Sequence, residues 1–267
     1  RYKGNNMENT ISVMVSNVLQ TNHEVDKLLA LVKKMQPDVL LTLETNKWWE
    51  EKLKPLEANW PHTIKQPLEN LYGMNFYSRL ELKDVKINYL VTDEIPSFQA
   101  KVQLKSGVNV QLFCVHPKPP FPTESKTSLF RDAELLLVGK KVEDIDSPVL
   151  VFGDFNDVAW SRTTRLFQKV SELLDPRIGR GFFNTFHAEY PFMRFPLDHI
   201  FHSSHFKLVK MKRLSYVGSD HFPIYTRLHL NSSFQNQQEE PDADNDEEGY
   251  ASEVINDANP IKRNVKQ

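Results

Sequence analysis

The chain has 267 residues, 40% hydrophobic and 11% aromatic, enough to bury a sizeable core. A single cysteine, Cys114, excludes an internal disulfide and any cysteine-based zinc cluster, and no run of about 20 apolar residues is present to cross a bilayer. The net charge of −2 hides a division: residues 235–267 carry nine acids against Lys262, Arg263 and Lys266, so the remainder is mildly basic at +4, modest for a broad nucleic-acid footprint.

In chain order, ISVMVS (11–16) alternates and predicts a strand. Asn22 is then expected to cap a helix whose Val25, Leu28, Leu29, Val32 and Met35 form one apolar stripe ending before Pro37. VLLTLE (39–44) reads as a second strand, buried on both faces. Further strands are predicted at 74–79, 97–104, 108–116, 148–155, 197–203, 206–214 and 223–230. A helix lies between Thr123 and Val142, with Leu129, Ala133, Leu136 and Leu137 at helical spacing, and another starts near Ser161. Many strands and few helices, joined by both hairpins and crossovers, predict a layered α+β fold with two sheets face to face. Residues 1–10 read as an extension, 11–232 as one domain, and 233–267 as an acidic tail with too little apolar content to order itself, disordered or loosely docked. The chain opens on Arg1 rather than Met, so a segment upstream is expected.

Polar groups recur where the strands end. Asn17 ends the first, Glu44 the second and His116 another; Asp154 and Asn156 follow VLVFG, Asp198 opens LDHIF, and GSDHFP (218–223) precedes the last strand. Loops at the carboxyl ends of strands can aim side chains from several strands at one point. Converging carboxylates repel, by roughly 4 kcal/mol for a pair about 4 Å apart at an effective dielectric near 20. A cation relieves this, and an all-oxygen donor set favours magnesium, or manganese, over zinc. Such an ion lowers the pKa of bound water and neutralises phosphate oxygens, while a His beside an Asp is stabilised as imidazolium. These are the parts of a phosphoester hydrolase.

SNVL with Asn17, LLTLET with Glu44, CVHP with His116, VFGDFND with Asp154 and Asn156, PLDHIF with Asp198 and GSDHFPI with Asp220 and His221 resemble, in order, the motif set of the endonuclease/exonuclease/phosphatase superfamily. The resemblance runs over about residues 11–230 and implies a four-layered α/β/β/α sandwich of the deoxyribonuclease-like type, with magnesium-dependent attack of water on phosphorus. It implies Glu44 as the main metal ligand, with Asn17 beside it and Asp220 able to join. It further implies that Asp154 orients or deprotonates the water, Asn156 fixes that water and a phosphate oxygen, His221 pairs with Asp198 to stabilise developing charge, and His116 contacts phosphate or donates a proton. Leu19 stands where abasic-site endonucleases carry an acid, which weakens a DNA-repair reading.

Other residues admit plainer readings. GDFN alone is compatible with a capped turn, Cys114 with a buried small hydrophobe and His199 with packing on the far face of its strand; Arg131, on the helix after His116, either reaches the site or takes an exposed helix position, the latter preferred. The stretch 179–196 sets Phe182, Phe183, Phe186, Tyr190, Phe192 and Phe195 between Arg180 and Arg194, with PKPPFP (117–122) as a neighbour. Such a loop is expected to stack bases, sit in a bilayer interface or cap the core, with Arg194 as a substrate contact. The expected substrate is a phosphate ester, a nucleic acid or a lipid-linked phosphate; the HPKPP and PLDH neighbourhoods also resemble membrane-associated bacterial members of the superfamily, including teicoplanin-resistance phosphohydrolases. A membrane-associated or extracytoplasmic location and no obligate protein partner are the corresponding expectations, and a catalytically silent binding module is the rival reading.

Overall fold

The computed structural model describes residues 7–119 and 125–258. One sheet has six strands: β1 (Thr10–Asn17), β2 (Val39–Leu43), β3 (His62–Gln66), β4 (Met74–Ser78), β10 (Phe206–Arg213) and β11 (Ile224–Leu230), in the order β10-β11-β1-β2-β4-β3. The other has five, in sequence order: β5 (Leu82–Asn88), β6 (Ser97–Gln103), β7 (Asn109–Val115), β8 (Val149–Asp154) and β9 (Asp198–His202). Each sheet has one central parallel pair, β1 with β2 and β7 with β8, and is otherwise antiparallel.

Strand periodicity builds the layers. Ile11, Val13 and Val15 of β1, Leu41 and Leu43 of β2, Leu112 and Cys114 of β7 and Leu150 and Phe152 of β8 all point between the sheets into one core. A fully buried ring such as Phe152 contributes roughly 2 to 3 kcal/mol there. The alternate residues face helices. Met14 and Leu40 meet α1 (Val25–Met35) and α2 (Lys47–Leu53), while Phe113, Val115, Val149 and Val151 meet α3 (Ser125–Glu143) and α4 (Arg162–Ser171). The expected four-layered α/β/β/α sandwich is what forms.

Several local expectations change. Asn22 does not cap α1: its Oδ1 accepts from Glu24 N at 2.9 Å, and its Nδ2 donates to the carbonyls of Val18 and Val217, both at 3.0 Å, tying two loops together. Asn46 does cap a helix, accepting from Trp49 N and starting α2, which buries Trp49 completely. The acidic segment expected to be disordered or loosely docked instead carries α5 (Asn245–Asp257). A capping box between Asp244 and Glu247 starts it, and Ala251, Val254 and Ala258 pack against Leu136, Leu166 and Val170. Lys140 pairs with Glu248, and Lys169 with Glu247 at 2.6 Å, so its acids find cations on α3 and α4. Residues 120–122 of PKPPFP and 259–267 of the tail lie outside the described residues.

His202, closing β9, is buried with Nδ1–H donating to Ser203 O at 2.9 Å, and burial pushes its pKa down to about 4. The unfolded chain protonates it near the ordinary 6.5, so stability is full above that pH and is lost on acidification toward 4, by about 3 kcal/mol from this group. Urea midpoints at about pH 7 and about pH 5 should therefore fall further apart in the wild type than in His202→Gln; equal slopes would exclude this contribution.

Candidate active site

Strand parity and direction bring the polar ends together. Asn17 shares the inward face of β1 with Val13 and Val15, and Asp154 that of β8 with Leu150 and Phe152, so both emerge at the open end of the inter-sheet core. Asp198 pairs directly with Asp154 across β8 and β9, and His221 enters from the turn before β11, whose Ile224 pairs with Val15. A line of contacts crosses the sheets. Asn17 Nδ2 donates to Glu44 Oε1 at 2.8 Å and Asp154 Oδ2 at 3.2 Å; His221 Nε2 stands 3.5 Å from Asp154 Oδ2, and His221 Nδ1 donates to Asp198 Oδ2 at 2.8 Å.

The backbone is bent to make this possible. Glu44 (φ 58°) and Asn156 (φ 49°) both occupy the left-handed region, a cost of roughly 1 to 2 kcal/mol for a residue such as Glu that only surrounding contacts can offset. Asn156 N donates to Asp154 Oδ1 at 2.9 Å, and Asn156 Nδ2 to Pro117 O at 2.9 Å. His221 N donates to Ser219 Oγ at 3.0 Å, and Thr185 Oγ1 accepts from the backbone N of Asp198 at 3.2 Å. Sequence reading missed Ser219 and Thr185, since short hydroxyl side chains in turns carry no signal of their own.

Electrostatics sorts the roles. Burial lowers the pKa of His221, but Asp198 and Asp154 outweigh it and push it up to about 10, so the ring is an imidazolium at neutral pH. Burial raises Asp198, against the pull of His221. Burial also raises Glu44, to about 7; the Asn17 amide and His221 oppose this, and Asp220 and Asp154 add to it. His116 is lowered by burial, feels Asp154 and His221, and lies tilted at 5.6 Å from the Tyr72 ring, with Nδ1 buried and unpartnered among the described residues.

A cation fits this donor set. A buried carboxyl pushed toward neutrality, with Asp220 and Asp154 near enough to add to that shift, is what a hard divalent ion relieves. One oxygen or nitrogen each from Asp154, Asp198 and His221 also lie within 4.8 Å of one another. That trio suits an ion less well, because Asp198 and His221 already bond each other and the imidazolium has no free lone pair. Asn17, expected among the ligands, turns its Nδ2 to the carboxylates and its Oδ1 to Leu19 N at 3.1 Å, and so bridges the acids.

The cleft over these groups, 390 Å³, is lined by Arg131, Asn156, Asp157, Val158, Phe186, Phe195, Leu197 and His221. Cavities of 590 and 520 Å³ flank the 175–181 segment and one of 560 Å³ lies between α4 and α5; all are larger and contain none of the site residues. Arg131 is buried rather than exposed: Nη1 donates to Asn156 O at 3.0 Å, and the guanidinium pairs with Asp132 at 2.8 Å and Asp157 at 3.5 Å. Arg194 is not among the cleft residues; it donates to Ala188 O at 3.1 Å and lies 5.1 Å from the Phe222 ring. His199 faces away, as expected, accepting from Arg177 at 2.6 Å and donating to Asp157 O at 2.9 Å.

The profile described as Endonuclease/Exonuclease/phosphatase family matches residues 14–221, spanning every one of these groups. The chain belongs to that family. As an endonuclease/exonuclease/phosphatase family protein it is a metal-dependent phosphoesterase. Its fold is similar to that of humanized D. rerio TDP2 carrying 14 mutations (TM-score 0.71, 19% identity, covering 83% of this chain and 100% of that one). It is likewise similar to D. rerio TDP2 complexed with single strand DNA product (0.69, 18%, 83% and 99%) and to the human Nocturnin catalytic domain with bound sulfate anion (0.67, 17%, 83% and 95%). No curated protein sequence matches this family member.

Proposed function

We propose that this protein is a magnesium-dependent hydrolase of phosphate esters that works by in-line attack of water on phosphorus. The observation carrying this reading is the unbroken line Glu44, Asn17, Asp154, His221, Asp198 across the two sheets. Glu44, with Asp154 and Asp220, would hold the ion, which supplies charge neutralisation at the phosphate oxygens and a more acidic bound water. Asp154 Oδ2 receives the proton of the attacking water, and Asn156 keeps that carboxylate turned toward it through the bond from its backbone N. His221, fixed in one orientation by Asp198, presents Nε2–H to the oxygen on which negative charge builds. Arg131 on the cleft wall adds a fixed positive charge, and His116, buried behind the site and within the field of Asp154 and His221, would support the charge distribution there.

Turnover of bis(4-nitrophenyl) phosphate by purified protein tests the reading. EDTA should abolish activity, Mg²⁺ should restore it with Mn²⁺ as a substitute, and Glu44→Gln should need at least about tenfold more Mg²⁺. Activity indifferent to EDTA would overturn the assignment. A nucleic-acid substrate is the second reading, supported by the likeness to the D. rerio structure with its DNA product, and single-stranded DNA belongs in the same assay.

A further inference from the structure

Two loops near the cleft place apolar side chains in water. On one side stand Trp160, Ile178 and Phe182, with Trp160 and Phe182 in edge contact at 5.4 Å. On the other, Tyr190, Phe192 and Met193 share a tight turn closed by Met193 N donating to Tyr190 O at 3.1 Å. Phe192 is fully exposed, and Ile178, Phe182, Tyr190 and Met193 are each more than half exposed. Phe195, also part-exposed, continues the second loop into the cleft wall beside His221, and Val158, two residues before Trp160, lines the opposite wall. The second loop is therefore a rim of the cleft, while Trp160, Ile178 and Phe182 line the neighbouring 520 Å³ cavity, and an exposed apolar patch beside a site marks a contact.

Charge and side-chain type identify the contact. Arg165, Arg180, Arg194 and Arg213 surround the rim, and none of them forms an ion pair among the described residues. A platform for nucleic-acid bases needs flat rings with an accessible face. Ile178 and Met193 have no such face, and Phe192, fully exposed at a turn tip, has no ring partner among the described residues to hold it flat. Aliphatic and aromatic tips ringed by unpaired arginines suit the headgroup and acyl boundary of an anionic bilayer instead.

We infer that this rim docks on an anionic lipid bilayer and presents the site to a phosphate ester carried at the membrane surface. The inference rests on the phosphoesterase reading of the site and names its substrate class. Insertion of the 190–195 loop brings the cleft to the headgroups, with the Trp160, Ile178 and Phe182 surface as a second contact beside it, and a lipid-borne phosphate reaches Asp154 and His221 without leaving the membrane. A soluble ester gains nothing from the rim.

The test compares the wild type with Phe192→Asp/Met193→Asp and, on the other loop, Ile178→Asp; all three positions are exposed and lie outside the catalytic set. Phosphatidylcholine vesicles with and without phosphatidylglycerol are used for co-sedimentation, single-stranded DNA is the competitor, and bis(4-nitrophenyl) phosphate reports the site itself. The wild type should sediment with vesicles, more strongly with phosphatidylglycerol, and each variant at least about tenfold more weakly, with turnover of the soluble ester unchanged. Equal vesicle binding by variants and wild type, or loss of DNA binding in place of vesicle binding, overturns the inference. Vesicle binding without any hydrolysis of the soluble ester would instead strike the phosphoesterase reading and leave the docking surface standing.

Discussion

Asp154→Ala should lower turnover of a simple phosphodiester by roughly 10³-fold without unfolding the protein, the range expected for loss of a positioned general base. No other side chain touches so much of the site. One carboxylate oxygen meets the Asn17 amide and the His221 ring, and the other accepts from Asn156 N. Removing it takes away the proton acceptor and frees the loop that carries Asn156. Stability should not suffer, since one of several crowded acids is gone and repulsion on Glu44 and Asp198 is relieved. Asp154→Asn keeps the shape but not the basicity and should be as inactive as the Ala variant. Steady-state kinetics beside thermal melts decide the matter, and metal-dependent turnover in both variants would refute the role.

Gly153→Ala should cost more than about 4 kcal/mol of stability, out of a total of about 5 to 15. Gly153 sits at φ 150°, and a Cβ there would lie 1.9 Å from Val115 O on the parallel neighbour strand. The obstacle is backbone in the middle of a sheet, so nothing can rotate aside. Gly107→Ala is the control: it also has positive φ, at 87°, but nothing lies within 4 Å, and about 1 kcal/mol is expected. Urea unfolding of both variants gives the comparison. A Gly153→Ala protein as stable as Gly107→Ala would contradict the packing described.

The central strands were legible because apolar alternation is unambiguous where both faces are covered, as in VLLTL and VLVFG. The edges were not. β3 buries only Ile64 and β5 is a largely exposed run with a bulge between Lys83 and Lys86, so each reads as loop; such lysine-rich, irregular edges also discourage pairing with another chain. The site was legible for a related reason, since Asn17, Asp154 and Asp198 stand at strand ends in the same parity as inward apolar residues. Arg131 was read as exposed in preference to reaching the site because α3 is covered by a sheet on one side and by α5 on another. Ala133, Leu135, Leu136 and Val138 are all buried, and no single stripe tells which of its polar residues is inside. α5 itself was invisible, because its acids are answered by lysines about a hundred residues away in sequence, which a local reading cannot see.

Backbone ladders run within each sheet, and the two sheets meet through the side chains of the layer between them. Asn17, Glu44 and His221 ride on one sheet, while His116, Asp154 and Asp198 ride on the other. The gaps of 3.2 Å from Asn17 to Asp154 and 3.5 Å from His221 to Asp154 are therefore spans across a seam whose width is set by Leu41, Phe98, Phe152 and their neighbours. The apolar interior acts as a gauge block for the chemistry at its end. A misfit of about 1 Å between reacting groups can cost about a hundredfold in rate, so a core residue far from any phosphate still carries part of the catalytic tolerance. Volume in that layer is constrained twice, once by stability and once by the distance at which an acid and an imidazolium must meet.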